Sequence, residues 1–355
     1  MSLGTLPVSS VEPLDRLRRR VLLGLVRAPG LGRILTRRDA RLALHSAASV
    51  AVAFTLTLLC PGVLFVAGPA LFGVAHVASD ARYLVLRRSL PRWWTRALAA
   101  GCAALFVLRA LELALPAGAP FAAVEVAVGW TWAIAAVVAG VAAARGAGAT
   151  RRAAIVGPVL VALGVAACAR PHLARLVFAH VHNVVAVALW LVLFRARRRF
   201  ALPALALLVA CAALLLSGVA LPWVHLGGPG AARLVDESVF AWPAWMPQRT
   251  ALALGVLYVM LQSIHYTVWL ALIPQDDARA EGTLSFRMSL RALGRDFPAP
   301  WLAAVVVLAL GVLAASAVDV HRTRQLYLSL ATFHGYLELA AATFLVGRGK
   351  GASHK

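Results

Sequence analysis

Charge is scarce in this chain. Only 14% of its 355 residues are Asp, Glu, Lys or Arg, against about 25% in an ordinary soluble domain. The acids are scarcer still, 14 Asp and Glu against 35 Lys and Arg, for a net charge of +21. No hydrophilic stretch is long enough for a separate soluble domain. Instead 61% of the residues are hydrophobic and the mean hydropathy is +0.81, where a soluble domain has about 45–50% apolar residues. The chain is therefore expected to be an integral membrane protein. Its positive charge does not indicate nucleic acid, because the arginines stand in short clusters between apolar runs, as the Lys/Arg bias of cytoplasmic loops requires. The expected counter-charge is the anionic lipid of the inner leaflet.

Cysteine is nearly absent too. Cys60, Cys102, Cys168 and Cys211 are scattered singly through apolar segments with no CxxC, so neither a disulfide framework nor a thiolate metal site is indicated. The sequence also lacks a Walker loop, GxSxG, HExxH, the charged repeat of a voltage sensor and an inverted repeat of the transporter kind. No cleavable signal is visible, and the first span is expected to serve as its own insertion signal.

Apolar runs of membrane-spanning length supply the architecture. They predict an all-α polytopic bundle of about ten transmembrane helices, near 42–60, 68–86, 95–115, 120–143, 153–169, 173–194, 201–221, 251–273, 300–318 and 325–346. Pro61, Pro91, Pro116, Pro120, Pro171, Pro222, Pro274 and Pro300 fall at their ends. Arginine clusters mark every second connection, which predicts that both termini are cytoplasmic and that the even-numbered spans run from outside to inside. Residues 1–41 form a basic N-terminal segment, whose portion 13–38 reads as amphipathic and interfacial or else as a disordered basic tail. Residues 222–250, with Trp223, Trp242 and Trp245, are an external lid or re-entrant loop. Residues 274–299 form an internal loop with a short helical pattern at 284–293, and 347–355 a basic tail. A multi-pass protein of the cell (inner) membrane is expected.

Within this frame the ionisable residues inside the spans carry the function, since such groups are costly in a bilayer. His76, His182, His265 and His334 lie in the second, sixth, eighth and tenth spans, all of one orientation. Each falls within about three residues of its midpoint, a slab on the order of 7 Å thick at 1.5 Å per residue. Four imidazoles from facing helices can close around one ion; a polar translocation path or unconnected packing contacts are the alternatives. Asp80 and Glu338 each follow a histidine by four residues, on the same helix face. They are expected to accept the imidazoles' second N–H and fix the tautomer. His180 and His182 point to different sides of one helix, and depth selects His182, with Asn183 beside it and His180 as the alternative ligand. Gln262 and Tyr266 flank His265, and Tyr336 follows the His334-Gly335 pair, whose glycine permits close approach of a neighbour. Arg109 and Glu112 read as an internal ion pair or a snorkelling pair, with Glu125 as another partner for Arg109.

His76-x3-Asp80 and His334-Gly335 resemble motifs of the membrane β-carotene dioxygenases related to bacteriorhodopsin-biogenesis proteins. Val77 stands where that family has glycine, and the family's clustered late histidines are absent here. The resemblance implies a polytopic helical fold and a non-haem iron, with His76 as a ligand and Asp80 as its supporting carboxylate. The first functional expectation is thus a membrane oxidoreductase or oxygenase with iron at the four histidines, acting on a hydrophobic isoprenoid or acyl substrate. Tyr266 and Tyr336 would be its catalytic, substrate-orienting residues. The second is a b-type haem electron-transfer protein, and the third a proton-coupled transporter using the His, Asp and Glu side chains as a relay.

Overall fold

The computed structural model describes residues 11–27, 31–88, 90–115, 120–144, 148–194, 198–277 and 285–349. Pro29, Gly30, Pro116, Arg145, Arg195, Arg197, Arg279, Leu284, His354 and the extreme termini, which figure in the sequence reading, lie outside the described residues.

The described residues hold helices and no strands. In chain order these are α1 (Glu12–Arg27), α2 (Leu31–Thr36), α3 (Arg38–Leu59), α4 (Pro61–Asp80), α5 (Arg92–Ala114), α6 (Phe121–Ala142), α7 (Gly148–Ala169) and α8 (Pro171–Leu189). They continue as α9 (Leu202–Leu216), α10 (Ala231–Phe240), α11 (Gln248–Thr267), α12 (Ile273–Asp277), α13 (Phe286–Asp296), α14 (Ala299–Val318), α15 (Val320–Ala331) and α16 (Phe333–Arg348). Apolar composition over about 20 residues drives each long helix to satisfy its backbone internally, as a bilayer demands. Among the described residues nine helical stretches are long and apolar enough to cross a membrane. The chain is a multi-pass membrane protein.

The seventh expected span differs from its reading. Where 201–221 was expected, α9 covers 15 residues, about 22 Å at 1.5 Å per residue. Pro203 sits in its first turn, and Gly218 (φ 76°), past the Ser217 cap, takes the left-handed conformation that ends helices. The chain still reaches the opposite end of the bundle, because the His225 N–H donates to Leu58 O, 2.7 Å, at the far end of α3.

Contacts sort the connections onto two ends. At the first, Arg82 pairs with Asp296 at 2.6 Å, Arg152 Nε donates to Val346 O at 2.9 Å, and His45 Nδ1 meets Gln275 Oε1 at 3.4 Å. At the other, Arg324 pairs with Glu237 at 2.8 Å and Arg109 with Glu125 at 2.6 Å. The first end also holds α1 and α13 and is the arginine-rich one. The 222–250 segment packs on the bundle. Its α10 buries Ala231, Leu234 and Ser238 against α4 and α11, and Arg324 lies 3.5 Å over the Phe65 ring at the same end.

Burial ranks the helices. The stretch Gln248–Gln275 is 72% buried and forms the centre, while α14 buries nothing and faces outward. Glycines bring α6 and α16 together: a side chain on Gly140 would collide with Phe344 O and one on Gly347 with Val137 O, the small-residue contact typical of membrane helices. The expected tenth span is broken into α15 and α16 at Thr332, whose hydroxyl donates to Leu328 O and Ser329 O, a bond that bends helices.

Candidate metal centre

Each of the four mid-span histidines comes from a separate long helix, and packing turns them toward one another. His76 (α4), His265 (α11) and His334 (α16) are buried, at 2%, 1% and 7% exposure. They offer nitrogens all within 4.8 Å of one another, a group able to hold a metal ion. His182 (α8) flanks the trio, its ring centroid 5.1 Å from that of His265 and 5.2 Å from that of His334.

The tautomers follow from the backbone. Nδ1 of His76 faces Phe72 O at 3.2 Å, Nδ1 of His182 faces Ala179 O at 2.9 Å, and Nδ1 of His334 faces Ala331 O. A carbonyl only accepts, so all three Nδ1 atoms carry the proton, and in the neutral imidazoles all three Nε2 atoms present lone pairs. This corrects the expected role of Asp80 and Glu338. A helical side chain leans toward the N-terminus, so an imidazole reaches the carbonyl three or four residues before it, not the acid four residues after.

Glu338 instead accepts from Trp269 Nε1 at 2.8 Å and stands 3.6 Å from Nε2 of His265. It thus lies beside the histidine of another helix, beyond hydrogen-bond distance. Asp80 is fully buried, and neither carboxylate oxygen has a hydrogen-bond partner among the described residues. It lies within electrostatic reach of Glu338. One turn of π-helix follows α4, α8 and α11, at Ala81–Leu86, Trp190–Phe194 and Val268–Leu272, and such bulges concentrate near functional sites. Ser79 Oγ donates to Trp269 O at 2.7 Å and ties the last turn of α4 to the π-turn after α11.

A cavity of about 240 Å³ opens from the imidazoles toward the end opposite the arginine-rich one. Asn183, Gln262 and Tyr266 line it, as do Arg109 and Glu125. Asn183 Nδ2 donates to Ala179 O at 3.0 Å and Gln262 Nε2 to Tyr258 Oη at 3.0 Å. The Tyr266 ring centroid is 4.8 Å from that of His76. Tyr336 is placed otherwise than expected: its ring stacks on Phe178 at 4.5 Å and its hydroxyl donates to Glu125 at 3.4 Å. It does not line the cavity. His180 packs between Trp242 and Tyr258, at 5.4 and 5.1 Å, on the side of α8 away from the trio. Gly335 faces Phe178 and His182, which lets α8 approach.

Compared with known proteins, the chain matches no family model, no curated protein and no solved structure.

The far wall of the cavity is an ion-pair cluster. Arg109 pairs with Glu112 and Glu125, each at 2.6 Å, and Arg175 with Glu112 and Glu125, each at 2.7 Å. Two cations and two anions balance there, so the charges stay paired at the cavity rim. Arg175, Tyr258 and Tyr327 were not singled out in the sequence, yet all line the cavity. Each precedes a cluster histidine by seven residues, two helical turns on the same face. That repeat was the available signal.

Proposed function

We propose that this protein is a membrane-embedded metalloenzyme in which His76, His265 and His334, with His182 as a fourth ligand, hold a redox-active divalent ion. One observation carries the reading: Nε2 of His76 and Nε2 of His334 lie 3.2 Å apart, both presenting lone pairs. Two lone pairs face each other stably when a cation shares them. Two imidazoles on one ion stand about 2.9–3.4 Å apart for metal–nitrogen bonds of roughly 2.05 Å.

Imidazole ligands suit iron, copper and zinc. Iron is the best fit to a buried, hydrophobic centre that resembles, in His76-x3-Asp80 and His334-Gly335, the membrane β-carotene dioxygenases. Bound there, iron would supply one-electron chemistry and activation of dioxygen. The protein's own residues do the rest. The Phe72, Ala179 and Ala331 carbonyls hold three imidazoles in the ligating tautomer, Glu338 orients His265, and Tyr266 and Gln262 stand over the cavity to position a substrate. The cavity is below the roughly 300–1,000 Å³ of a site that encloses a drug-sized ligand. It takes the reacting portion of a lipid-soluble isoprenoid or acyl substrate, and the remainder stays among the helices or in lipid. The setting is the cell membrane, with both termini on the cytoplasmic side.

The spacing of the His76–His334 pair favours a bare ion over haem. Axial imidazoles need nitrogens about 4 Å apart on opposite faces of a porphyrin, twice a metal–nitrogen bond of roughly 2 Å. Here the His76 and His334 rings approach with centroids 4.8 Å apart, too close for a macrocycle between these two. The test is elemental analysis with an optical spectrum of the purified protein and of His76→Ala. About one metal per chain, lost in the variant and without a Soret band, is the expected result. Metal absent from both proteins, or unchanged in the variant, overturns the reading.

A further inference from the structure

We propose that the arginine-rich end carries a built site for one anionic phospholipid, in the groove between α1, the start of α3 and the start of α13. This groove, of about 590 Å³, is separate from the histidine centre, and the inference stands independently of the metal reading. Leu14, Leu17, Val21 and Leu25 of α1 form one wall and Leu42 and Leu44 of α3 the other. The four α1 side chains are 49%, 59%, 55% and 45% exposed, and α1 buries no residue at all. An apolar row of this kind on a strongly basic helix is the signature of an interfacial segment.

The wall is fixed rather than loose. The Asp15 carboxylate accepts the backbone N–H groups of Phe286 at 2.8 Å and Arg287 at 3.2 Å, the first turn of α13, where a helix end favours an anion. Glu12 adds a pair with Arg287 at 3.7 Å. At its other end α13 is anchored by the Asp296–Arg82 pair, 2.6 Å. The α1 surface is thereby held against a transmembrane helix at the depth where that helix begins.

Charge and length select the occupant. Arg18 and Arg41 line the groove together with His45, and Arg41 lies within electrostatic reach of both Arg18 and Arg38. Arg41 also donates to Leu35 O at 2.6 Å, and no Asp or Glu stands among the described residues that line the groove, so its lining favours an anionic group. The apolar row from Leu14 to Leu25 runs about 16 Å at 1.5 Å per residue, close to half of the ~30 Å hydrocarbon core and thus to the reach of one acyl chain. An anionic headgroup at Arg18 and Arg41 with an acyl chain along Leu17 and Val21 satisfies both features.

The test is native mass spectrometry of the full chain in mild non-ionic detergent, with phosphatidylglycerol or phosphatidylcholine of the same acyl chains added. One phosphatidylglycerol retained in preference to phosphatidylcholine is expected. Arg18→Gln and Arg41→Gln should each lower its retention about fivefold, Arg18→Lys and Arg41→Lys should restore it, and Leu17→Ser/Val21→Ser should lower it without loss of charge. Equal retention of the two lipids overturns the proposal. So does retention undiminished in Arg18→Gln/Arg41→Gln, or full displacement by soluble glycerol phosphate, which would leave only a headgroup-sized anion site.

Discussion

Nε2 of His76 and Nε2 of His334 meet at 3.2 Å across 258 positions of chain. Each imidazole has already committed its Nδ1 proton to a carbonyl of its own helix. A ligand removed from such a set cannot be replaced by water without loss of affinity. His76→Ala and His334→Ala should therefore weaken binding of Co(II), used as an optical probe, at least tenfold, on the scale seen when even supporting partners are lost. His180→Ala, which removes contacts with Trp242 and Tyr258 and a hydrogen bond to Leu176 O, should leave the titration unchanged.

Trp269 and Glu338 make the next prediction. The indole N–H at 2.8 Å is the carboxylate's one hydrogen-bond donor among the described residues, and Oε2 has none. Trp269→Phe keeps most of the ring and removes the donor. It should lower stability by about 1–2 kcal/mol, read by thermal unfolding in detergent, and weaken metal binding through the His265 contact.

The ion-pair cluster should respond asymmetrically. Arg175→Met leaves Glu125, 1% exposed, with Arg109 alone and should cost about 3 kcal/mol or more, as breaking buried pairs does. Adding Glu112→Leu removes the second uncompensated carboxylate. The double variant should be more stable than the sum of the two single changes, and a double-mutant cycle measures the difference.

Helix approach gives a prediction about packing. Gly140→Val forces α6 away from Phe344 on α16, where no space exists for a side chain, at about 1–3 kcal/mol. Gly311→Ala on outward-facing α14 meets open space and should be neutral or slightly stabilising. Unfolding midpoints of the two variants separate the effects.

Orientation is open to labelling. Cys168 is exposed, so Cys168→Ser is the background. A membrane-impermeant maleimide should modify Trp245→Cys in intact cells, because Trp245 is 69% exposed at the end opposite the arginines. Met288→Cys, on α13 at the arginine-rich end, should react only after permeabilisation.

Depth along a helix can be read in one dimension, whereas rotation about its axis cannot. Hydropathy fixed the spans, proline placed their ends, and the depth of His76, His182, His265 and His334 was visible because a bilayer makes mid-span polarity expensive. The choice of His182 over His180 also followed from depth. The partners of Asp80 and Glu338 were misread because spacing of four identifies a face but not the direction in which a side chain leans. Tyr336 was misread because its hydroxyl answers Glu125 on another helix. The seventh helix was expected at 201–221, but its early end at Leu216 was not legible because Gly218 sits inside an otherwise unbroken apolar run.

By itself, then, the sequence determined an all-helical membrane bundle, the alternation of its charged ends, and the layer that holds four imidazoles, since all of these follow from local composition. Only the tertiary structure decided that His76, His265 and His334 converge, that Glu338 accepts from Trp269, and that a cavity walled by ion pairs lies over them. Those facts depend on how helices far apart in the chain turn and pack against each other, through glycine contacts and π-turns whose effect no single segment contains.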